Sequence, residues 1–377
     1  MPNKELIALT QELIKAYSSN PPGREKEVAD LIKKRMEKIG LDVRMFEVAH
    51  GRPNLLISWK GKGSKKLAIE GHMDTVPAGD GWTHQPFGGE VSGGRIYGRG
   101  ATDMKGNLAS IIIAIENLKK AKWTPKGELI FLACCNEEMG DREGIGMTHM
   151  AKQIKPDVLL LSDTTDFDIE VAEKGVLWLD VKSKGKEAHG SMPWEGVNAI
   201  KNLGKFLIAL DRMQFPANHK ILGKSTISIN TISGGFKTNV VPGSATASVD
   251  IRLVPGDKKE VVMKIISDLI KKLKSEDKTM NIEVKELVYF EPVELDTKSK
   301  EVALLSEAVK EALGRAPKMK AEHGSTGSNI FIKQGIKTIV FGIGKPSLSH
   351  ISDEYVEIED LEKGVKVYDA FIRKFFA

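Results

Sequence analysis

Five places in this 377-residue chain set ionisable side chains just where an apolar stretch ends or a Gly-rich turn begins. In Gly71-His72-Met73-Asp74, His72 and Asp74 stand two apart, so on an extended segment they share a face. A metal-bound imidazole needs its second ring nitrogen held, and Asp74 is spaced to hold it. Asp103 lies in Gly98-Arg99-Gly100-Ala101-Thr102-Asp103-Met104-Lys105-Gly106, ahead of a helical pattern. It suits either a helix N-cap or a carboxylate shared by two cations. Glu137 and Glu138 follow the apolar run 128–135, and Asp163 follows Leu159-Leu160-Leu161-Ser162. His350 sits in Leu348-Ser349-His350, in a loop past the run 338–342. Each has a bland alternative: a strand-end pair meeting solvent, a cap, a solvated turn.

Their convergence favours chemistry. Polar groups just beyond the carboxyl ends of buried strands lie where ligands bind in open α/β sheets. Two imidazoles and three carboxylates, His72, Asp103, Glu138, Asp163 and His350, suit two divalent ions. Imidazole favours Zn2+, with Co2+ or Mn2+ as alternatives. Two ions ~3.5–4 Å apart can polarise a carbonyl and lower the pKa of water to about 7. Hydrolysis then needs a free carboxylate to take the water's proton and pass it to the leaving amine. Glu137 is the candidate, with Glu138 kept on metal.

The elements that must position these groups alternate. Amphipathic helices are expected at the N-terminus, where Leu6, Leu9, Leu13 and Tyr17 form a stripe, and at 24–39, closed by Gly40. Strands are expected at 42–47, 54–59, 66–70 and 128–135, with a helix from about 105 between the last two. The 128–135 run is apolar throughout, as in a strand buried on both faces. This alternation predicts an α/β/α sandwich around a mostly parallel sheet. The middle differs: strand 176–183, helix 197–213, strands 225–233 and 244–253, helix 258–273 and strand 281–288 give the β-α-β-β-α-β order of a ferredoxin-like α+β unit. The expected division is a catalytic domain at 1–176 and 291–377 with an insertion at 177–290.

Composition excludes several classes. The chain carries 56 basic and 51 acidic residues, net +5, with no basic stretch interleaved with aromatics, so nucleic acid is not an expected partner. No apolar run reaches the ~18 residues of a membrane span, and the N-terminus reads as a helix, not a signal peptide. Neighbouring Cys134 and Cys135 suit a reducing, cytoplasmic compartment.

The run Gly71-His72-Met73-Asp74-Thr75-Val76-Pro77, continued through AGDGWTHQPFGGEVSGGRIYGRGATDMKG, resembles the M20 metallopeptidase and deacylase family, which includes acetylornithine deacetylase, succinyl-diaminopimelate desuccinylase, aminoacylases and carboxypeptidase G2. The resemblance covers nearly the whole chain. It implies a zinc-peptidase-like catalytic domain, with Asp103 as bridging ligand, Glu138 and His350 completing one metal, His72 and Asp163 the other. It implies Glu137 as general base, Asp74 as partner of His72, and a cis peptide at Asp103–Met104. The insertion corresponds to the family's lid, which also forms a homodimer contact. There His189, in Glu187-Ala188-His189-Gly190-Ser191, matches a histidine that reaches the substrate's oxyanion, in cis or from the other subunit. Asn239 and Arg252 match substrate-binding positions; an Arg fork suits a carboxylate. Gly324, Ser325, Thr326 and Gly327 precede a short helix whose backbone N–H groups suit an anion. This loop departs from the family's Gly-Gly-Thr-Asp-Ala pattern and lacks its Asp. His323, just before this loop, suits either a substrate contact or a chance loop position, and His84, His149 and His219 are given no role.

The expected substrate is an N-acyl amino acid of the acetylornithine or succinyl-diaminopimelate kind. The Gly81-Trp82-Thr83-His84-Gln85-Pro86-Phe87 stretch and Asp at 163 lean that way. Alternatives are a carboxypeptidase or dipeptidase acting on short peptides and, from another class, an inactive metal-binding scaffold, against which the complete ligand set and Glu137 speak.

Overall fold

The computed structural model describes residues 3–141 and 144–377. The chain divides into two compact units, one of residues 1–171, 295–320 and 326–377, the other of 172–294 and 321–325.

In the first unit the strands line up as Asp42–Ala49, Arg52–Lys60, Gly127–Cys134, Lys65–His72, Val158–Leu161, Thr338–Phe341 and Ile169–Glu173, the last crossing into the second unit. The sheet is mixed. Its four central strands, from Gly127–Cys134 to Thr338–Phe341, are parallel. The hairpin at one side and Ile169–Glu173 at the other pair antiparallel.

Alternation explains why both faces are covered. Ile57, Leu67, Ile69, Leu129, Phe131 and Leu160 face one apolar core shared with helices Lys4–Lys15, Lys26–Lys38, Gly106–Lys120, Lys300–Leu313 and Ile358–Phe376. Leu56, Ala68, Ile130, Leu132, Leu159 and Leu161 face another, closed by Met147, Met150 and Phe331. Period-2 alternation with both sets apolar is what a central parallel strand requires. Register then aligns the chemistry. His72 lies opposite Cys134 and Glu70 opposite Leu161, so the residues following all three strands emerge at one rim.

The second unit has a four-stranded sheet in the order Thr226–Gly234, Ser244–Leu253, Gly175–Lys184, Ile282–Phe290, with every pairing antiparallel. Helices Ala199–Asp211 and Lys259–Glu276 cover one face over Leu177, Leu179, Val181, Val249 and Ile251. In chain order the four long strands rank 2-3-1-4 across the sheet, the ferredoxin-like arrangement. This unit begins at Ala172 and includes 321–325, whereas the sequence expectation began at 177 and had no second segment. No described helix is long and apolar enough to cross a membrane.

Candidate metal centre

His72 is the last residue of its strand and only 3% exposed. Its Nε2 lies 3.1 Å from Asp103 Oδ1. The other oxygen, Asp103 Oδ2, lies 3.3 Å from His350 Nε2, which is 3.0 Å from Glu138 Oε2. One carboxylate thus presents its two oxygens to two imidazoles. The facing atoms of His72, Asp103 and Glu138 all lie within 4.8 Å of one another, a spacing that could hold a metal ion.

Local structure places each group. Asp103 is not a helix cap. The following helix runs Gly106–Lys120 with Lys105 at its N-cap, and Asp103 has φ −122° and ψ 92°. Its peptide to Met104 is cis. Its backbone is held by Glu354, whose Oε1 accepts the N–H of Thr102 at 2.8 Å and of Asp103 at 3.0 Å. Glu354 Oε2 accepts from Gly100 N at 3.1 Å and from Arg99 at 2.6 Å. Both Arg99 and Glu354 are buried. His350 adopts a left-handed φ of 65°, uncommon for a non-glycine residue.

Asp74 differs from expectation in one respect. The nearest partner of His72 Nδ1 is Asp74's backbone carbonyl at 3.0 Å, with the carboxylate Oδ1 at 3.6 Å. Asp74's carboxylate makes its closer contacts elsewhere, accepting from the backbone N–H of Glu137 at 3.1 Å and of Glu138 at 3.2 Å, and from Asn20 at 2.8 Å. It ties the His72 strand end to the turn that carries both glutamates. In that turn Asn136 takes φ 64°, which its short polar side chain tolerates. Glu137 Oε2 stands 3.9 Å from His72 Nε2.

Asp163 Oδ1 accepts from the N–H of Thr164 at 2.6 Å. Burial, then the charge of Asp103, pushes its carboxyl up to about 7. Burial, with Glu138, Asp163 and Asp74 adding to it, pushes Glu137 well above the usual carboxylate range. Burial and Asp103 likewise raise Glu138. Burial disfavours a charged His72, but hydrogen bonds to Asp103 and Asp74 outweigh it and hold the ring's pKa well above the ordinary value. Hydrogen bonds to Asp103 and Glu138 raise His350 to about 10. Four buried or half-buried carboxylates with two imidazoles among them carry more negative charge than the imidazoles can offset. Divalent ions would relieve that cost. The donor set, nitrogens and carboxylate oxygens, fits zinc-type ions.

The remaining expected site residues lie mainly in the second unit. His189 is exposed and pairs with Val240, and Gly190 donates to the carbonyl of Asn239 at 2.8 Å, so His189 and Asn239 are brought together there. His189 Nδ1 accepts the N–H of Ser191 at 3.2 Å. Arg252 lies on the Ser244–Leu253 strand, where its Nε and Nη2 bond Asp250 at 2.9 and 3.1 Å. The 324–327 loop does not offer all the free donors expected of it, because the Gly324 N–H is donated to Glu322 at 2.7 Å. The helix after it, Ser328–Lys333, has six residues. Gly324 and Ser325 group with the second unit, Thr326 and Gly327 with the first.

Residues 68–374 match Peptidase family M20/M25/M40. The chain belongs to that family, the one its motifs resemble. It is an enzyme acting on amide bonds. Among relatives, a Staphylococcus aureus protein named "Probable succinyl-diaminopimelate desuccinylase" is 27% identical over 398 residues, covering 97% of this chain and 96% of its own. The structure of aminopeptidase PepT from Bacillus cereus superposes with a TM-score of 0.84 at 22% identity, covering 99% of both chains. The YXEP protein of Bacillus subtilis, described as a dinuclear metal-binding peptidase of the M20 family, superposes with a TM-score of 0.72 at 17% identity, covering 97% of this chain and 96% of its own.

Glu354, Arg99 and Asn20 were not singled out in the sequence. A Glu four residues after a loop histidine reads as surface charge. Only its burial beside Arg99, 255 positions away, marks it.

Proposed function

We propose that this enzyme is a two-zinc deacylase that hydrolyses the amide bond of an N-acyl amino acid. Asp103 would be shared by the two ions, with His72 and Asp163 holding one and Glu138 and His350 the other. The observation that carries this reading is the carboxylate of Asp103, with one oxygen toward each imidazole. When bound, the ions would polarise the scissile carbonyl and make water acidic enough to lose a proton near neutral pH.

The chain's own groups supply the rest. Glu137 accepts the water's proton as the water oxygen adds to the carbonyl carbon, then returns that proton to the amine nitrogen as the C–N bond breaks, leaving a carboxylic acid and a neutral amine. Asp74 keeps His72 and the backbone of Glu137 in register.

The second unit is the lid and the homodimer contact in this reading. His189 acts as a donor to the oxyanion. With Nδ1 accepting from Ser191, its neutral ring carries the proton on Nε2. Asn239 and Arg252 bind the substrate's polar groups, with Thr326 and Gly327 near its carboxylate. A substrate carboxylate at Arg252 competes with Asp250. The dimer reading is supported by large apolar side chains exposed on this unit, among them Trp194, Ile208, Ile232 and Phe236.

One side-by-side assay tests the substrate class: N-acetylornithine, succinyl-diaminopimelate and a dipeptide panel, each with zinc-loaded enzyme. Turnover of an N-acyl amino acid is expected. Turnover of dipeptides alone would replace the deacylase with a peptidase.

A further inference from the structure

Asn20 does no chemistry in this account, yet it is buried against the catalytic turn. It is 3% exposed, on the 18–20 segment. Two backbone hydrogen bonds pin that segment beside the His72 strand end: Asn20 N–H to the Thr75 carbonyl at 2.7 Å and Thr75 N–H to the Ser18 carbonyl at 3.1 Å. The backbone therefore fixes where the side chain can reach.

An asparagine amide carries two N–H donors. Asn20 Nδ2 lies 2.8 Å from Asp74 Oδ2 and 3.0 Å from Asn136 Oδ1, so both donors have an acceptor. Asp74 belongs to the loop after His72, and Asn136 precedes Glu137. The same Asn136 oxygen also accepts from Arg52 Nη2 at 3.0 Å, and Arg52 is forked on buried Glu25 at 2.7 and 3.1 Å. A continuous polar chain thus runs Glu25, Arg52, Asn136, Asn20, Asp74, and ends on the backbone N–H groups of Glu137 and Glu138.

We propose that Asn20 is a positioning residue for the hydrolytic step, cross-linking Asp74 to Asn136 so that the Glu137 carboxylate is held at its working distance from the His72 side of the site. The metal ligands themselves do not bond Asn20, and Glu138 keeps its contacts to His350 and to the Val76 N–H without it. Loss of Asn20 frees the Asp74 carboxylate that holds both backbone N–H groups and the Asn136 side chain next to Glu137, while the Glu138 carboxylate stays tied to His350 and Val76, so the base shifts more than the metal ligand. A misplacement of about 1 Å in a positioned group costs on the order of 100-fold in rate. This inference rests on Glu137 being the base.

The test compares the full-length wild type with Asn20→Ala and Asn20→Asp, the second keeping the shape but turning a donor toward two acceptors into a third acceptor. Three readouts are taken. The first is kcat and KM with zinc-loaded enzyme on whichever amide the wild type turns over best. The second is zinc stoichiometry. The third, on metal-free protein, is amide hydrogen exchange at Glu137 and Glu138. Expected are a kcat lowered about 10- to 100-fold with KM within about threefold, unchanged zinc content, and faster exchange at both amides. A lowered melting temperature with kcat within twofold of wild type would reduce Asn20 to a stability role and overturn the proposal. Loss of zinc would overturn it too, by making Asn20 part of the metal scaffold. Glu137→Ala run alongside separates the failures: if it stays active, the base assignment is wrong whatever Asn20 does.

Discussion

Replacing Glu354 by Ala removes an acceptor shared by four donors: Arg99 and the backbone N–H groups of Gly100, Thr102 and Asp103. Arg99 is 1% exposed and Glu354 0%, so the four donors are left facing a buried void. Breaking a buried ion pair by deleting one partner costs about 3–5 kcal/mol, and an orphaned buried N–H adds about 1–3 kcal/mol. Some of this is recovered, because Arg99 keeps its bond to the Ala78 carbonyl at 3.0 Å and its place over the Trp82 ring. A net loss of about 4 kcal/mol is a large share of the 5–15 kcal/mol that holds a domain. At about 2–4 °C per kcal/mol for a unit of this size, the melting temperature falls by roughly 8–16 °C. Glu354→Gln keeps one carbonyl oxygen for the Thr102 and Asp103 N–H groups but loses the charge facing Arg99, so it falls between. The assay is thermal unfolding of metal-free protein beside zinc titration of the same samples. Zinc affinity drops in both variants, because the backbone that presents Asp103 is no longer held. If Glu354→Ala melts with wild type and binds zinc equally well, Glu354 does not hold Asp103.

Further outcomes follow from the same geometry. Asp103→Ala removes the carboxylate facing both imidazoles and should leave fewer than two zinc ions per chain by metal analysis. His350→Ala should lose one ion and keep the other. Gly342→Ala places a Cβ 1.9 Å from the Asp163 carbonyl and 2.9 Å from Asn107 Oδ1, so it should push Asp163 out of place and lower zinc affinity; an unchanged titration would contradict this. Removing the metal should make stability depend on pH. The Asp163 carboxyl, at about 7 when folded and 3.8 when exposed, gives stability that is present below pH 4 and lost as pH rises to 7. His350, raised to about 10, adds a loss from pH 6.5 upward. Zinc needs these groups deprotonated, so the gain in melting temperature on adding zinc should widen from pH 5 to pH 8. A constant gain would contradict it.

How much the sequence disclosed depends on what each residue interacts with. His72, Glu138 and Asp163 were legible because apolar runs of strand length end in them, and parallel pairing then brings those ends to one rim. The order of the second unit was legible because alternation and helical period are local signals. Asp103 was ambiguous between a cap and a shared carboxylate; the helix starting at Gly106 excludes the cap. Spacing puts Asp74 on the right face of His72 but does not distinguish its carbonyl, 3.0 Å from Nδ1, from its carboxylate at 3.6 Å. The 324–327 loop offered a Gly-rich helix start, and Glu322, which takes the Gly324 N–H, was hidden in the strand before it. The polar supports Asn20, Arg52, Glu25, Arg99 and Glu354 were missed because charge and amide groups read as surface until their partners, tens to hundreds of residues away, are placed against them.

The most direct test is Glu137→Ala, assayed for zinc and for turnover in the same preparation. Two zinc ions per chain with turnover down on the order of 100- to 10,000-fold are the predicted result. Full activity with both ions bound would contradict the assignment of Glu137 as the base that moves the proton.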